Sequence, residues 1–116
     1  MKFGNFGLQD EVANFNAAGV ALARNAAREG VFVAGAMGPL GLLRAPEGEI
    51  GRDFAIGVFR EQAEALLEPG SIDILMLETF SSLAELRLAV QAIRLVTTIA
   101  VVAQVTVQCL TLSRHL

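Results

Sequence analysis

The chain is poor in the residues that most often carry chemistry or recognition on their own. It has one cysteine, Cys109, so it makes no internal disulfide, and a reducing cytosol fits that usage. It has one histidine, His115, next to the C-terminus. No Ser/His/Asp or Cys/His constellation can therefore be built from it. Cys109 has neither a second cysteine nor a nearby histidine to complete a metal site, and reads as a free, partly buried thiol. Of the nine basic residues only Lys2 is a lysine, and no basic cluster exists. With a formal charge of −3, that argues against nucleic-acid binding. The N-terminal stretch lacks the apolar core of a signal peptide.

Charge is scarce as a whole. Charged residues make up 18% of the 116, hydrophobic residues 53%, and the mean hydropathy is +0.53. A domain this small leaves much of its surface in water. So much apolar sequence implies surface meant to be covered by more chain, a partner or a membrane. The membrane reading has one candidate, the uncharged stretch between Arg94 and Arg114. That stretch holds Thr97, Thr98, Gln104, Thr106, Gln108 and Thr111, and its centre is β-branched. It reads as helix end, turn and buried strand.

What is present is an α/β alternation. Asp10 is placed to cap a helix whose apolar stripe is Val12, Phe15, Gly19, Leu22 and Ala26, with Gly30 as its stop. Val31–Ala34 is the first expected strand, and a Gly/Pro-rich loop follows from Gly35 to Gly51. A second helix is expected from about Arg52 to Glu68, with Ala55, Phe59, Gln62 and Leu66 inward, ended by Pro69-Gly70. The second strand is expected at Ile72–Leu77. Ser82 and Glu85 have the spacing of a capping box, opening a third helix with Leu83, Leu86, Val90 and Ile93 inward. Ile99–Val105 is the third strand. Continuous apolar strands separated by amphipathic helices mean a parallel sheet with right-handed crossovers. No internal repeat, low-complexity segment or domain boundary interrupts the pattern.

The strand ends carry the candidate site. In parallel α/β folds, chemistry collects where strands finish. Gly35-Ala36-Met37-Gly38-Pro39-Leu40-Gly41 lacks Gly-Lys-Ser/Thr and the GxGxxG spacing of nucleotide loops. It is either a tight turn that needs glycine or a place where small residues let a substrate approach. Glu78 ends an apolar strand, where an unpaired buried charge would be costly. It either caps backbone N–H groups, those after Ser82 among them, or holds a cationic group such as an ammonium, or acts as a base. Asp73 reads as a structural carboxylate near the strand start. Gln104 and Thr106 share a face near the end of the third strand, as packed hydrogen-bonding groups or as rim contacts.

These segments together resemble a family. Val33-Ala34-Gly35-Ala36-Met37-Gly38-Pro39 is followed by Phe59-Arg60-Glu61-Gln62, Leu75-Met76-Leu77-Glu78-Thr79-Phe80 and Val102-Ala103-Gln104-Val105-Thr106. Upstream stand Phe6-Gly7-Leu8-Gln9-Asp10, Asn16 and Ala21-Leu22-Ala23-Arg24. In order and spacing they are similar to the homocysteine S-methyltransferase domain of methionine synthases and betaine–homocysteine methyltransferases. The resemblance implies a (β/α)8 barrel, a zinc ion on three cysteine thiolates, and methyl transfer to the homocysteine thiolate to give methionine. It implies that Glu78 binds the homocysteine amino group, with Gly35 and Gly38 in the turn that lines the same rim.

The chain departs from the family pattern. The acidic-glycine motif of the first strand, the Asn-Thr-Phe end of the second and the late Gly-Gly-Cys-Cys segment are absent. The zinc ligands are absent with them, since Cys109 matches none of the three. The expectation is a partial barrel over residues 1–116, roughly strands three to five, cytoplasmic and inactive alone. It would be completed by another chain or by self-association. The methyl donor is left open. The competing reading is a small flavodoxin-like module that binds phosphate or nucleotide at the Gly35–Gly41 turn. The barrel reading requires three strands in sequential order with helices on one face only; a doubly wound sheet has helices on both.

Overall fold

The computed structural model describes residues 9–41, 48–68 and 70–108. Three helices alternate with three strands: α1 (Val12–Ala26), β1 (Ala34–Met37), α2 (Gly48–Leu67), β2 (Ile74–Phe80), α3 (Leu83–Arg94) and β3 (Ala100–Val105). The strands form one parallel sheet in the order β1-β2-β3. Ala34 sits opposite Ile74, which sits opposite Ala100, and the ladder runs on from there.

Alternation along the strands separates two unlike faces. Gly35, Met37, Leu75 and Leu77 are buried on one of them. On that face α2 lies against β1, α3 against β2 and β3, and α1 against α2. Val20 of α1 joins the same core as Ala55, Phe59 and Ala63 of α2 and Leu86, Ala89 and Ile93 of α3. Phe59 and Phe80, both fully buried, meet with ring centroids 6.0 Å apart and planes tilted by 40°. Burying each such side chain is worth about 1.5–3 kcal/mol. The other face, with Ala34, Ala36, Ile74, Met76, Val102 and Gln104 in alternating positions, carries no helix among the described residues. Sequential parallel strands with helices on one side form an arc of a (β/α)8 barrel, as the sequence leads one to expect.

Local details depart from expectation in five places. Asp10 lies in a short 3-10 turn, Gln9–Glu11, and the N-cap of α1 is Glu11, without a side-chain cap bond. The Glu11 carboxylate instead accepts from Asn14 Nδ2 at 2.8 Å. The expected stripe of α1 is not its buried face: Phe15 is 50% and Leu22 71% exposed, and Val20 is the residue that is buried. Leu83 of α3 is likewise 65% exposed. β1 begins three residues later than expected, leaving Val31 and Phe32 outside the ladder. β3 was expected to be buried; its residues are exposed except Val101, because that strand is an edge with one bare face.

The first two strands are fastened at their N-terminal ends. Arg24 of α1 donates from Nε and Nη2 to the Ser71 carbonyl and from Nη2 to Asp73 Oδ2, the last at 2.7 Å. Asp73 Oδ2 also accepts the Val33 N–H at 2.8 Å. Asp73 is thus the structural carboxylate its phase suggested. The Val33 N–H, and after it the Arg24 guanidinium, hold its carboxyl below the usual carboxylate range.

Candidate functional site

The opposite end of the sheet, where the strands finish, holds the candidate site. β2 is the central strand and runs furthest. Strict alternation would put Glu78 on the bare face, Thr79 toward the helices and Phe80 on the bare face again. Instead the pairing with β3 slips between Leu77 and Phe80. Phe80 is fully buried against Phe59, Thr79 is exposed, and Glu78 stays partly buried. Thr79 takes up the extra residue with φ +64°, the one left-handed non-glycine residue among those described. That conformation is uncommon for a β-branched side chain and marks a strained position. Its hydroxyl donates to the Glu78 carbonyl at 2.6 Å. After the bulge the Thr106 N–H donates to the Phe80 carbonyl at 2.8 Å, so the strand end is pinned on both sides of Thr79.

The bulge lets two demands coexist. The large ring of Phe80 enters the core, while the carboxylate of Glu78 remains at the open face. Among the described residues nothing donates to that carboxylate. The cap of α3 is made by Ser82, whose Oγ accepts the Glu85 N–H at 3.3 Å. Glu78 is therefore not the capping carboxylate at this helix.

Gly38 lies beside Glu78. A Cβ on Gly38 would stand 3.7 Å from Thr79 Oγ1 and 3.9 Å from the Glu78 carbonyl oxygen. Gly35 has a different setting. It is buried on the helix side, where an added Cβ would meet Ile72 at 3.1 Å, Leu66 at 3.3 Å and Leu75 at 3.4 Å. Its missing side chain admits close helix–sheet packing. Of the three residues singled out in the sequence, the structure brings Glu78 and Gly38 together and puts Gly35 behind them. Gln104 lies on the open face of β3 by alternation and is exposed, as is Thr106 just beyond it.

Two residues here have settings that sequence reasoning did not give them. Thr79 carries no signal beyond its place after Glu78. Glu85 has the capping-box spacing, but its carboxylate does not turn back to Ser82. It is 4% exposed and accepts the Leu40 N–H at 2.5 Å.

No group of three or more His, Cys, Asp and Glu among the described residues is arranged to hold a metal ion. Cys109 and His115 lie outside the described residues. A site of three cysteine thiolates does not fit a chain with one cysteine. No described helix is long and apolar enough to cross a membrane.

The parallel α/β arrangement agrees with the comparison to known families. The profile of the homocysteine S-methyltransferase family matches residues 2–115, and the chain belongs to that family. No curated protein matches it.

Proposed function

We propose that the chain forms the homocysteine-binding arc of a homocysteine S-methyltransferase barrel, roughly its strand 3 to strand 5 region. In this reading the Glu78 carboxylate holds the substrate ammonium. The observation that carries it is Glu78 itself, a carboxylate without a described partner at the C-terminal end of the central strand. Gly38 keeps the neighbouring strand end free of side-chain bulk, so a small amino acid can approach the Glu78–Thr79 backbone. An ammonium needs this kind of acceptor, and partial burial strengthens the pairing relative to water.

The reaction of the assembled domain is methyl transfer to homocysteine. A sulfur–carbon bond forms to the homocysteine thiolate, the bond between methyl and donor breaks, and methionine results. In the intact family zinc supports the thiolate. The single cysteine of this chain does not supply that site, so the chain is inactive alone and its part is substrate holding. The bare sheet face and the open strand edges support completion by a complementing chain or by self-association. A cytoplasmic setting follows from the cysteine usage. Among the described residues no feature supports a phosphate-binding module over Gly35–Gly41: Gly35 is committed to packing within β1, and the described helices lie on one side of the sheet.

Titration calorimetry of the purified chain with L-homocysteine, beside metal analysis, tests this reading. The wild type binds homocysteine weakly, and Glu78→Ala removes about 2–4 kcal/mol of that binding, which abolishes the signal. Equal binding by Glu78→Ala, or stoichiometric zinc in the purified chain, sinks the assignment.

A further inference from the structure

We infer that Glu85 is a positioning residue for the rim around Glu78. Its carboxylate clamps the segment after β1 onto the first turn of α3, and so holds Gly38 against the Glu78–Thr79 peptide. The inference rests on the reading of Glu78 as the homocysteine-binding carboxylate.

A glutamate in the first turn of a helix ordinarily turns back to the cap and stays in water. Glu85 does neither. It is 4% exposed, and its Oε1 accepts a backbone N–H from Leu40, 45 residues away in sequence. The first turn behind it is fixed. Ser82 Oγ accepts the Glu85 N–H, and the Ser82 carbonyl accepts the Leu86 N–H at 3.0 Å. Among the described residues, this carboxylate makes the only hydrogen bond that residues 38–41 form with the rest of the chain. Leu40 itself packs partly buried against the core.

Burying a carboxylate is costly, and the fold tolerates it only where strong donors repay the lost water. Here the donors are one charge-assisted N–H and the favourable field of a helix N-terminus. Two residues before Leu40 stands Gly38, where an added Cβ would come into van der Waals contact with Thr79 Oγ1 and the Glu78 carbonyl oxygen. Beyond the last ladder pair, Met37 and Leu77, the placement of Gly38 beside β2 is thus set from the helix layer by Glu85. Reach is the property that matters, because the acceptor has to cross from α3 to the loop.

Two variants separate reach from charge. Glu85→Asp keeps the negative charge at the helix N-terminus and shortens the arm by one methylene. Glu85→Gln keeps the arm and an acceptor oxygen and removes the charge. Hydrogen exchange of the full chain, read by mass spectrometry over residues 38–41 and 78–80, is paired with L-homocysteine titration. In Glu85→Asp, exchange at Leu40 speeds up by about tenfold or more and homocysteine affinity falls by about tenfold. Glu85→Gln stays close to wild type in both readouts. Unchanged protection across Ile74–Leu77 certifies that each variant is folded. The inference is overturned if Glu85→Asp leaves Leu40 protected. It is also overturned if Glu85→Gln is the more damaging change, because charge at the helix end would then be the whole role. If the wild type binds no homocysteine while exchange over residues 38–41 and 78–80 still follows reach, the clamp holds and the reading of Glu78 alone fails. If Glu85→Asp frees Leu40 yet binds homocysteine as the wild type does, the positioning role fails.

Discussion

Thr79 is left-handed because both of its neighbours are held, and that causal claim can be measured. Phe80 is fully buried against Phe59, and the Phe80 carbonyl accepts from Thr106. A left-handed residue with a Cβ costs about 1–2 kcal/mol. Glycine removes that cost but adds roughly 0.5–1 kcal/mol of unfolded-state entropy. Thr79→Gly in the wild type should then change stability by about 0–1.5 kcal/mol in the favourable direction. Phe80→Ala removes a fully buried ring, a change that costs about 3–5 kcal/mol elsewhere. Without that ring the end of β2 is free to regain ordinary alternation. The strain at Thr79 relaxes, and Thr79→Gly then brings only its entropic cost. The two substitutions are therefore coupled by about 1–2 kcal/mol, the strain itself. The lost Thr79 hydroxyl bond to the Glu78 carbonyl is solvent-exposed, so water replaces it and it weighs little in either arm. Urea unfolding at one fixed chain concentration gives the four stabilities, provided the slope stays constant across the variants. Additivity to within about 0.5 kcal/mol would refute the idea that burial of Phe80 holds Thr79 in its conformation.

Two further outcomes are expected. The folded-state carboxyl of Asp73 titrates below its ordinary value of 3.8, so its contribution to stability is present above that value and is lost as pH falls through the lower folded-state value. Asp73→Asn should flatten the acid side of the thermal midpoint against pH, and an unchanged acid limb would mean that the Val33 and Arg24 contacts do not couple to folding. The uncovered sheet face and strand edges should make the purified chain self-associate, which sedimentation velocity over a range of concentrations reads directly; a monodisperse monomer with a cooperative melt would count against it.

The alternation of apolar strands and amphipathic helices was enough to read the class of fold, because continuous apolar strands have few other solutions. The start of α3 was legible, since Ser82 caps it as expected, and of its expected inward residues Leu86 and Ile93 are buried while Leu83 is exposed. α2 showed its inward face at Ala55, Phe59 and Leu66, which are all buried. α1 misled because its contact is with α2, through Val20, and periodicity cannot say which stripe meets a neighbour. Val31 and Phe32 have strand-forming side chains, yet the Val31 carbonyl is turned to Arg24, and the Val33 N–H donates to Asp73. Side chains, not a neighbouring strand, take those backbone groups, so the ladder starts later.

At the site the position of Glu78 was legible from its place after an apolar run. The bulge was not, because it follows from competition between Phe80 and the register of β3. Gly35 and Gly38 looked alike in sequence; Gly35 lies within β1 and faces the helices, and Gly38 lies just past its end beside Thr79. The partner of Glu85 could not be read at all, since nothing local to Ser82-Leu83-Ala84-Glu85 points to Leu40.

The Arg24–Asp73–Val33–Ser71 fastening sits at the far end of the strands from Glu78, Thr79 and Gly38. Polar groups that hold the register and polar groups at the candidate site thus share strands but no contacts. Changes at sites without shared partners combine nearly independently. Rim residues can consequently be exchanged, by drift or by design, while the register stays locked from below. A variant library confined to positions 38, 78, 79 and 104 would sample ligand preference on an unaltered frame, and second-site compensation would be sought at Arg24 and Asp73 only when the frame itself is disturbed.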